Sequence, residues 1–277
     1  MAERNYDAIL LDLDGTLVAD DGHVPGRTQL SLKAAQERGA VVMIATGRSH
    51  HATAHVLAEL ELETPAIVFN GAAVYCPRES RLLETQLLSN VTLKSTLDWC
   101  LAQGHLPVLS GEHGRFSIHP RNEEEQRALD FYSDVQCVSP AELPLEYVIR
   151  ATIFSAEHSH SEPLGTELQA IQKRPVYITH FPLNALAKHR SSKLIVADVQ
   201  PPCRGKGEGL RILRDSYGIE PARVVAVGDA NNDLPMFRAA GLAVAMGNAS
   251  PDAKREAQRV IGDNNSEALA DLIDELF

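Results

Sequence analysis

A doubly wound α/β fold with a parallel sheet, carrying an inserted α/β domain, is the class that this sequence predicts. Three observations point to it. Short apolar runs alternate with longer amphipathic segments at both ends of the chain, the pattern of a parallel sheet covered by helices on both faces. Those runs end in small or polar residues, which suits strand tips that open onto a crevice. The middle of the chain, from about residue 88 to 190, breaks the pattern with Pro, His and acidic clusters such as SGEHGRFSIHP and AEHSHSEP.

Four runs carry the sheet: Ala8–Leu11 (AILL), Val41–Ala45 (VVMIA), Ala66–Phe69 (AIVF) and Val224–Val227 (VVAV). Leu242–Ala245 (LAVA) is expected as a fifth. The first four end in DLDGT, TGR, NGA and GDANND. In an open α/β sheet such tips converge on one ligand site. Helices are expected over Thr28–Arg38, over Ser49–Leu60 with Ser49 as N-cap, and over Gly207–Tyr217 stopped by Gly218, with a further helix starting near Pro235. The expected organisation is a discontinuous core, 1–87 and 191–277, around a second domain at 88–190 that has its own sheet.

The chain has 277 residues, 44% of them hydrophobic, enough for a core domain with a smaller companion. A formal net charge of -11 and the lack of a dense Lys/Arg run argue against nucleic acid or an anionic membrane as partner. The expected partner is a small molecule. Cys76, Cys100, Cys137 and Cys203 are scattered singly, without a zinc-like or disulfide spacing. They read as reduced thiols in a cytoplasmic protein. The N-terminal apolar stretch is too short for a signal peptide, and no run is long enough to span a bilayer. Oligomeric state is not legible.

Asp12 and Asp14 leave the first strand two residues apart, on the same side of an extended chain. Two carboxylates held together either split their proton affinities or hold a divalent cation. A lone DxD is as often an aspartate-rich turn. The full DLDGTL string directly after a buried strand resembles the haloacid dehalogenase (HAD) superfamily, whose Rossmann-like core opens with this motif. The resemblance implies that Asp12 is a nucleophile attacking phosphorus and that Asp14 is the acid/base.

The other motifs extend the resemblance over the whole core. Thr46, in ATGR, matches the family's second motif and could donate to a phosphoryl oxygen, with Ser49 opening a helix whose N-terminus favours anions. Lys206, in GKGEGL, matches the third. A lysine at a helix start is electrostatically misplaced, and a bound phosphate removes the conflict. GDANND at 228–233 matches the fourth, implying a magnesium site of Asp229, the Asp12 carboxylate and the Asp14 backbone carbonyl. Hard oxygen ligands with waters and a phosphate suit that ion. Asn232 is expected to face the phosphate and Asp233 to orient its neighbours. Leu13 and Gly47 join Thr46, Lys206 and Asn232 as phosphate-binding positions. Asn70, with Gly71, matches the pocket of this branch, while Arg48 reads equally as a substrate contact or an exposed arginine.

Spacing selects the branch. Asp12 to Thr46 is 34 positions and Thr46 to Lys206 is 160, leaving room for an inserted domain only in the second interval. An insertion there marks the family's second cap type, and the ATGR, FNGA and GDANND strings resemble its Cof-like, type IIB subgroup. The implied function is a magnesium-dependent phosphomonoester hydrolase for a small phosphorylated metabolite, a sugar phosphate or a phosphorylated cofactor, acting through an aspartyl-phosphate. Two alternatives stay open: a phosphotransferase of the phosphomannomutase type, and a non-catalytic binding protein on the same fold. His51 and His55 have the spacing of a metal pair, but HATAH lacks the glutamate of HExxH. Arg150 and His180 in the cap are substrate-contact candidates that nothing in the sequence ranks above their neighbours.

Overall fold

A computed structural model describes residues 5–130, 132, 134–186 and 189–277. In chain order, β1 (Ala8–Leu11), α1 (Gly26–Glu37), β2 (Val41–Ile44), α2 (His50–Glu59), β3 (Ala66–Val68), β4 (Ala73–Cys76) and β5 (Arg81–Thr85) come first. There follow α3 (Asn90–Ala102), β6 (Leu106–Gly111), β7 (Arg115–Ile118), α4 (Glu123–Leu129), β8 (Val135–Val138), β9 (Val148–Ser155), α5 (Ser161–Ala170), β10 (Tyr177–Pro182) and β11 (Ile195–Gln200). The chain closes with α6 (Glu208–Tyr217), β12 (Val224–Gly228), α7 (Leu234–Phe237), β13 (Leu242–Ala245), α8 (Pro251–Glu256), β14 (Arg259–Val260) and α9 (Ala268–Leu276). Two compact units result, residues 1–84 with 204–277, and residues 85–203.

The first unit is built on a five-stranded parallel sheet in the order β14-β13-β12-β1-β2. β1 and β12 sit in its middle, and all four residues of β1 are buried, which is why AILL carries no polar alternation. Gly209 on α6 is what lets that helix lie close to the sheet: an added Cβ would stand 2.6 Å from Leu10 Cδ1. At its far end α6 stops on Gly218, whose φ of 67° is the left-handed cap glycine favours. Ser49 caps α2 as expected, accepting from the Ala52 amide at 3.4 Å.

One strand expectation is corrected. The run Ala66–Phe69 is not a full member of the parallel sheet, since β3 touches it through a single Ala45–Ile67 bridge and pairs antiparallel with β4 in a sheet of three. The apolar run reads as one strand, but Phe69 and Asn70 both have φ near 50° and turn the backbone out of extension. The fifth strand of the main sheet is β14, a two-residue edge.

The second unit has a six-stranded sheet in the order β10-β11-β9-β6-β7-β8, antiparallel except for the β7–β8 pair. One face is covered by α3 and α5, with Leu93, Leu97, Leu164 and Leu168 packed on Leu109, Ala151, Ile153, Ala197 and Val199. On the other face Leu106, Val108, Phe154 and Val196 pack against Ala128 and Leu129 of α4. The sequence places the limits of the insertion at 88 and 190, whereas the compact unit runs from 85 to 203. The difference lies mostly at the C-terminal limit, where the unit takes in β11, an apolar run that resembles a core strand but hydrogen-bonds to β9 and β10.

Candidate active site

The site grows from the carboxyl ends of β1, β2 and β12. Asp12 follows β1, 4% exposed, its amide donating to the Val227 carbonyl across the sheet. Lys206 Nζ stands 2.6 Å from Asp12 Oδ1 and 2.7 Å from Asp233 Oδ1. Lys206 is itself 1% exposed. A buried ammonium is tolerated only when paired, and two carboxylates pair it here. Against the cost of burial, which is the largest influence, Asp12 and Asp233 make Lys206 hold its proton more firmly than a free lysine does.

Asp229 completes the cluster, its Oδ1 accepting from Thr16 Oγ1 at 3.2 Å. One oxygen from each of Asp12, Asp229 and Asp233 lies within 4.8 Å of the others. Burial, and then the Asp233 charge, push the Asp229 carboxyl up to about 7. Burial likewise raises Asp12, with Lys206 pulling the other way. Three carboxylates share one ammonium, so the protein alone leaves excess negative charge in a buried place. Such a set of hard oxygen donors fits a divalent cation of the magnesium type.

Asp233 differs from the other two carboxylates in what it touches. Its Oδ2 accepts from the amides of Asp229 and Ala230, both at 2.8 Å, while its Oδ1 faces Lys206. Those bonds hold the GDANND turn in shape and leave Asp12 and Asp229 as the better-placed donors. Gly228 is required beside it, because a Cβ there would fall 2.4 Å from Asp233 Cγ.

Thr46 is fully buried. Its Oγ1 accepts from the Arg48 amide at 3.1 Å, leaving the hydroxyl proton to donate elsewhere. Its carbonyl accepts from the Asn70 amide at 3.0 Å. Asn232 Nδ2 in turn donates to Asn70 Oδ1 at 3.0 Å. The ATGR, NGA and GDANND tips are therefore linked to one another. The amide of Asn232, expected to face a phosphate, is spent on Asn70, and its buried Oδ1 has no hydrogen-bond partner among the described residues. Gly47 approaches Asn70 so closely that a Cβ would lie 3.1 Å from Oδ1. Leu13 contributes no side chain to the site: it is buried in the core, and its carbonyl accepts from the amides of Thr16, Leu17 and Val18 to shape the turn.

Asp14 behaves differently from Asp12. Its side chain is 45% exposed and turns to Arg48, whose Nη2 and Nε reach its two oxygens at 2.6 and 2.9 Å. Of the two readings open for Arg48, neither names this partner. Sequence reasoning also missed the loop after β13. Asn248 Nδ2 donates to the Gly15 carbonyl at 2.8 Å, and the Ser250 amide donates to the Asp229 carbonyl at 2.7 Å. The GNASP string at a fifth strand tip was the available signal. Among the described residues no histidine joins a cluster of metal-ligand type. His180 Nδ1 lies 3.0 Å from Ser161 Oγ, and Arg150 Nη1 lies 3.5 Å from Asp198 Oδ2, both within the inserted unit.

Fold and site together define a class: a Rossmann-like α/β protein whose buried acidic cluster, held by one lysine, lies beyond the carboxyl ends of a parallel sheet. Residues 9–273 match the model of the haloacid dehalogenase-like hydrolases, and the chain belongs to that family. The chain is 27% identical over 273 residues to the 5-amino-6-(5-phospho-D-ribitylamino)uracil phosphatase YitU of Bacillus subtilis, covering 97% of each. It is 29% identical over 286 residues to the pyridoxal phosphate phosphatase YbhA of Escherichia coli, covering 96% of each. Among solved structures it resembles the HAD subclass IIB sugar phosphatase BT4131, with a TM-score of 0.81 and 24% identity over 97% of this chain and 98% of that one. The fold is that of subclass IIB, and the chain is an enzyme of the family's phosphatase branch.

Proposed function

We propose that this enzyme is a magnesium-dependent phosphomonoester hydrolase acting on a small phosphorylated metabolite through a phosphorylated Asp12. The observation that carries the reading is the setting of Asp12: a buried carboxylate at the tip of an interior strand, 2.6 Å from a buried ammonium and grouped with Asp229. The two curated relatives described above are named for phosphomonoesters of small metabolites, which supports the substrate class.

In the first half-reaction Asp12 Oδ attacks phosphorus, the bond from phosphorus to the leaving oxygen breaks, and Asp14 supplies the proton that the departing alkoxide takes up. In the second, Asp14 accepts a proton from water, the water oxygen attacks phosphorus, and the Asp12–phosphorus bond breaks to release inorganic phosphate. Lys206 and the Thr46 hydroxyl offset charge on the phosphoryl oxygens, together with the backbone N–H groups at Leu13 and Gly47. Magnesium would be held by the carboxylates of Asp12 and Asp229 and the Asp14 carbonyl, and would supply further positive charge to the phosphoryl group. Asn70 and Asn232 hold the loops around that group. Arg48 positions Asp14, and Asp233 positions Lys206.

Phosphate release from a panel of sugar phosphates, nucleotides and phosphorylated cofactors, with magnesium and without any sugar bisphosphate, tests this. Release that stops on exhaustive chelation and returns with magnesium is the expected result. Release only when a sugar bisphosphate is supplied would make the enzyme a phosphotransferase instead.

A further inference from the structure

The loop after β13 touches both strand tips that carry the carboxylate cluster, and its backbone is fixed at each end. The Met246 amide donates to the Gly228 carbonyl at 3.0 Å, carrying the pairing with β12 one residue past the strand, and the Gly247 amide donates to the Gly262 carbonyl at 2.8 Å. At the far end the Ser250 hydroxyl accepts from the Ala253 amide and caps α8, while the Ser250 amide donates to the Asp229 carbonyl at 2.7 Å. Asn248 sits between these anchors. Its carboxamide spends both halves, Nδ2 donating to the Gly15 carbonyl at 2.8 Å and Oδ1 accepting from the Asn264 amide at 3.2 Å. An aspartate in its place would have no donor for the carbonyl. Asn264 is itself buried, and its Nδ2 donates to the Val18 carbonyl at 3.0 Å. Two asparagines bonded to each other thus grip the turn after β1 from outside, at Gly15 and at Val18.

Gly15 is the point in that turn that most needs outside support. The turn's internal bonds converge on the Leu13 carbonyl, which accepts from the amides of Thr16, Leu17 and Val18. Gly15 has a φ of 78°, and without a Cβ its backbone is freer than that of its neighbours. It also lies against the second strand tip, since a Cβ on it would fall 2.6 Å from Asp229 Oδ2. The peptide bond that enters Gly15 contains the Asp14 carbonyl, and Asp14 carries the carboxylate that Arg48 holds. Gly15 is therefore joined to Asp14 through the chain and packed on Asp229 through space. Its carbonyl is fixed by Asn248.

We propose that Asn248 is a positioning residue for the hydrolysis: by fixing the Gly15 carbonyl it sets how the Asp14 peptide faces Asp229, the two groups that with Asp12 would hold magnesium. This role rests on the hydrolase reading above. Asn248 touches neither substrate nor reacting atoms in it. Its side chain is exposed, so its hydrogen bonds compete with water and add little to the stability of the fold. Losing them is felt in metal affinity more than in folding, the reverse of what an ordinary structural bond would show. The metal-ligand groups themselves stay in place in such a variant, and only the restraint on their spacing is removed.

Wild type, Asn248→Ala and Asn265→Ala are compared as full-length proteins. The last removes a neighbouring asparagine whose Oδ1 accepts from the Asp20 amide at 3.0 Å, farther along the same segment. Thermal melts in chelator and over a magnesium series, without substrate, give an apparent Kd for the metal, and each variant is referred to its own melt in chelator, so that lost stability alone does not move the result. Phosphate release is followed over the same series. For Asn248→Ala the expected Tm in chelator lies within about 2 °C of wild type. Its apparent magnesium Kd should rise at least about fivefold and half-maximal release should need about tenfold more magnesium, with substrate KM at saturating magnesium changed less than about threefold. Asn265→Ala should match wild type throughout. Wild-type metal affinity in Asn248→Ala, or an equal loss of affinity in Asn265→Ala, would overturn the positioning role. A wild-type protein in which magnesium changes neither the melt nor phosphate release fails the hydrolase reading and this role with it; a responsive wild type beside an equally responsive Asn248→Ala fails the role alone.

Discussion

Arg48 grips Asp14 with two nitrogens, Nη2 at 2.6 Å from one carboxylate oxygen and Nε at 2.9 Å from the other. A guanidinium makes this planar two-point contact and an ammonium does not. If Asp14 carries the proton in both half-reactions, its orientation depends on that contact. Arg48→Lys should keep the fold and lower kcat by about tenfold, with a smaller change in KM. Steady-state kinetics with p-nitrophenyl phosphate read both parameters, and an unaltered kcat would remove Arg48 from its positioning role.

Gly71 and Gly205 meet at a point where no side chain fits. Gly71 has a φ of 97°, and a Cβ on it would fall 2.2 Å from the Gly205 carbonyl, one residue before Lys206. Gly71→Ala should therefore strain the backbone and push the lysine loop aside, costing about 3 kcal/mol. Urea denaturation should show a lower midpoint with the same slope. A wild-type midpoint would mean that the two loops part easily.

How far the sequence could be read is clear from these loops. The tips of β1, β2 and β12 were legible because each is a short apolar run followed at once by a turn rich in Gly, Asp or Asn, a local signal. The pairing of Arg48 with Asp14 was not, since 34 positions separate them and nothing local says which acid an arginine will choose. The AIVF run misled because composition marks burial, whereas its departure from the sheet depends on the left-handed backbone at Phe69 and Asn70. β11 misled for a related reason: an apolar strand fits either sheet, and its partners are decided by tertiary pairing.

The excess of carboxylates predicts a link between pH and stability. In the metal-free protein, folded Asp229 keeps its proton up to about pH 7, while the unfolded chain releases it near the ordinary value of 3.8. Between those values the folded state binds more protons, so this group's contribution makes stability fall as pH rises through the window. Magnesium favours the deprotonated form and should stabilise more at pH 8 than at pH 5. Thermal melts with chelator and with magnesium at both pH values give the comparison. Asp229→Asn should abolish most of the magnesium-dependent rise in Tm, and a rise of wild-type size in that variant would take Asp229 out of the metal site.

Asp12→Asn should fold, because Lys206 keeps Asp233 as a partner at 2.7 Å. It should lose at least about a thousandfold in kcat, since an amide is a poor nucleophile and a weaker metal ligand. Residual phosphatase activity above that level would contradict the role given to Asp12.

The most direct measurement asks where the phosphoryl group goes. Wild-type enzyme is mixed with substrate and magnesium, quenched in acid within the first turnover, reduced with borohydride to convert an acyl-phosphate into a stable alcohol, and mapped by peptide mass spectrometry. The account predicts that the reduced residue is Asp12 and that Asp12→Asn yields none. A pre-steady-state burst with the label on any other residue, or wild-type turnover in which Asp12 is never modified, would contradict it.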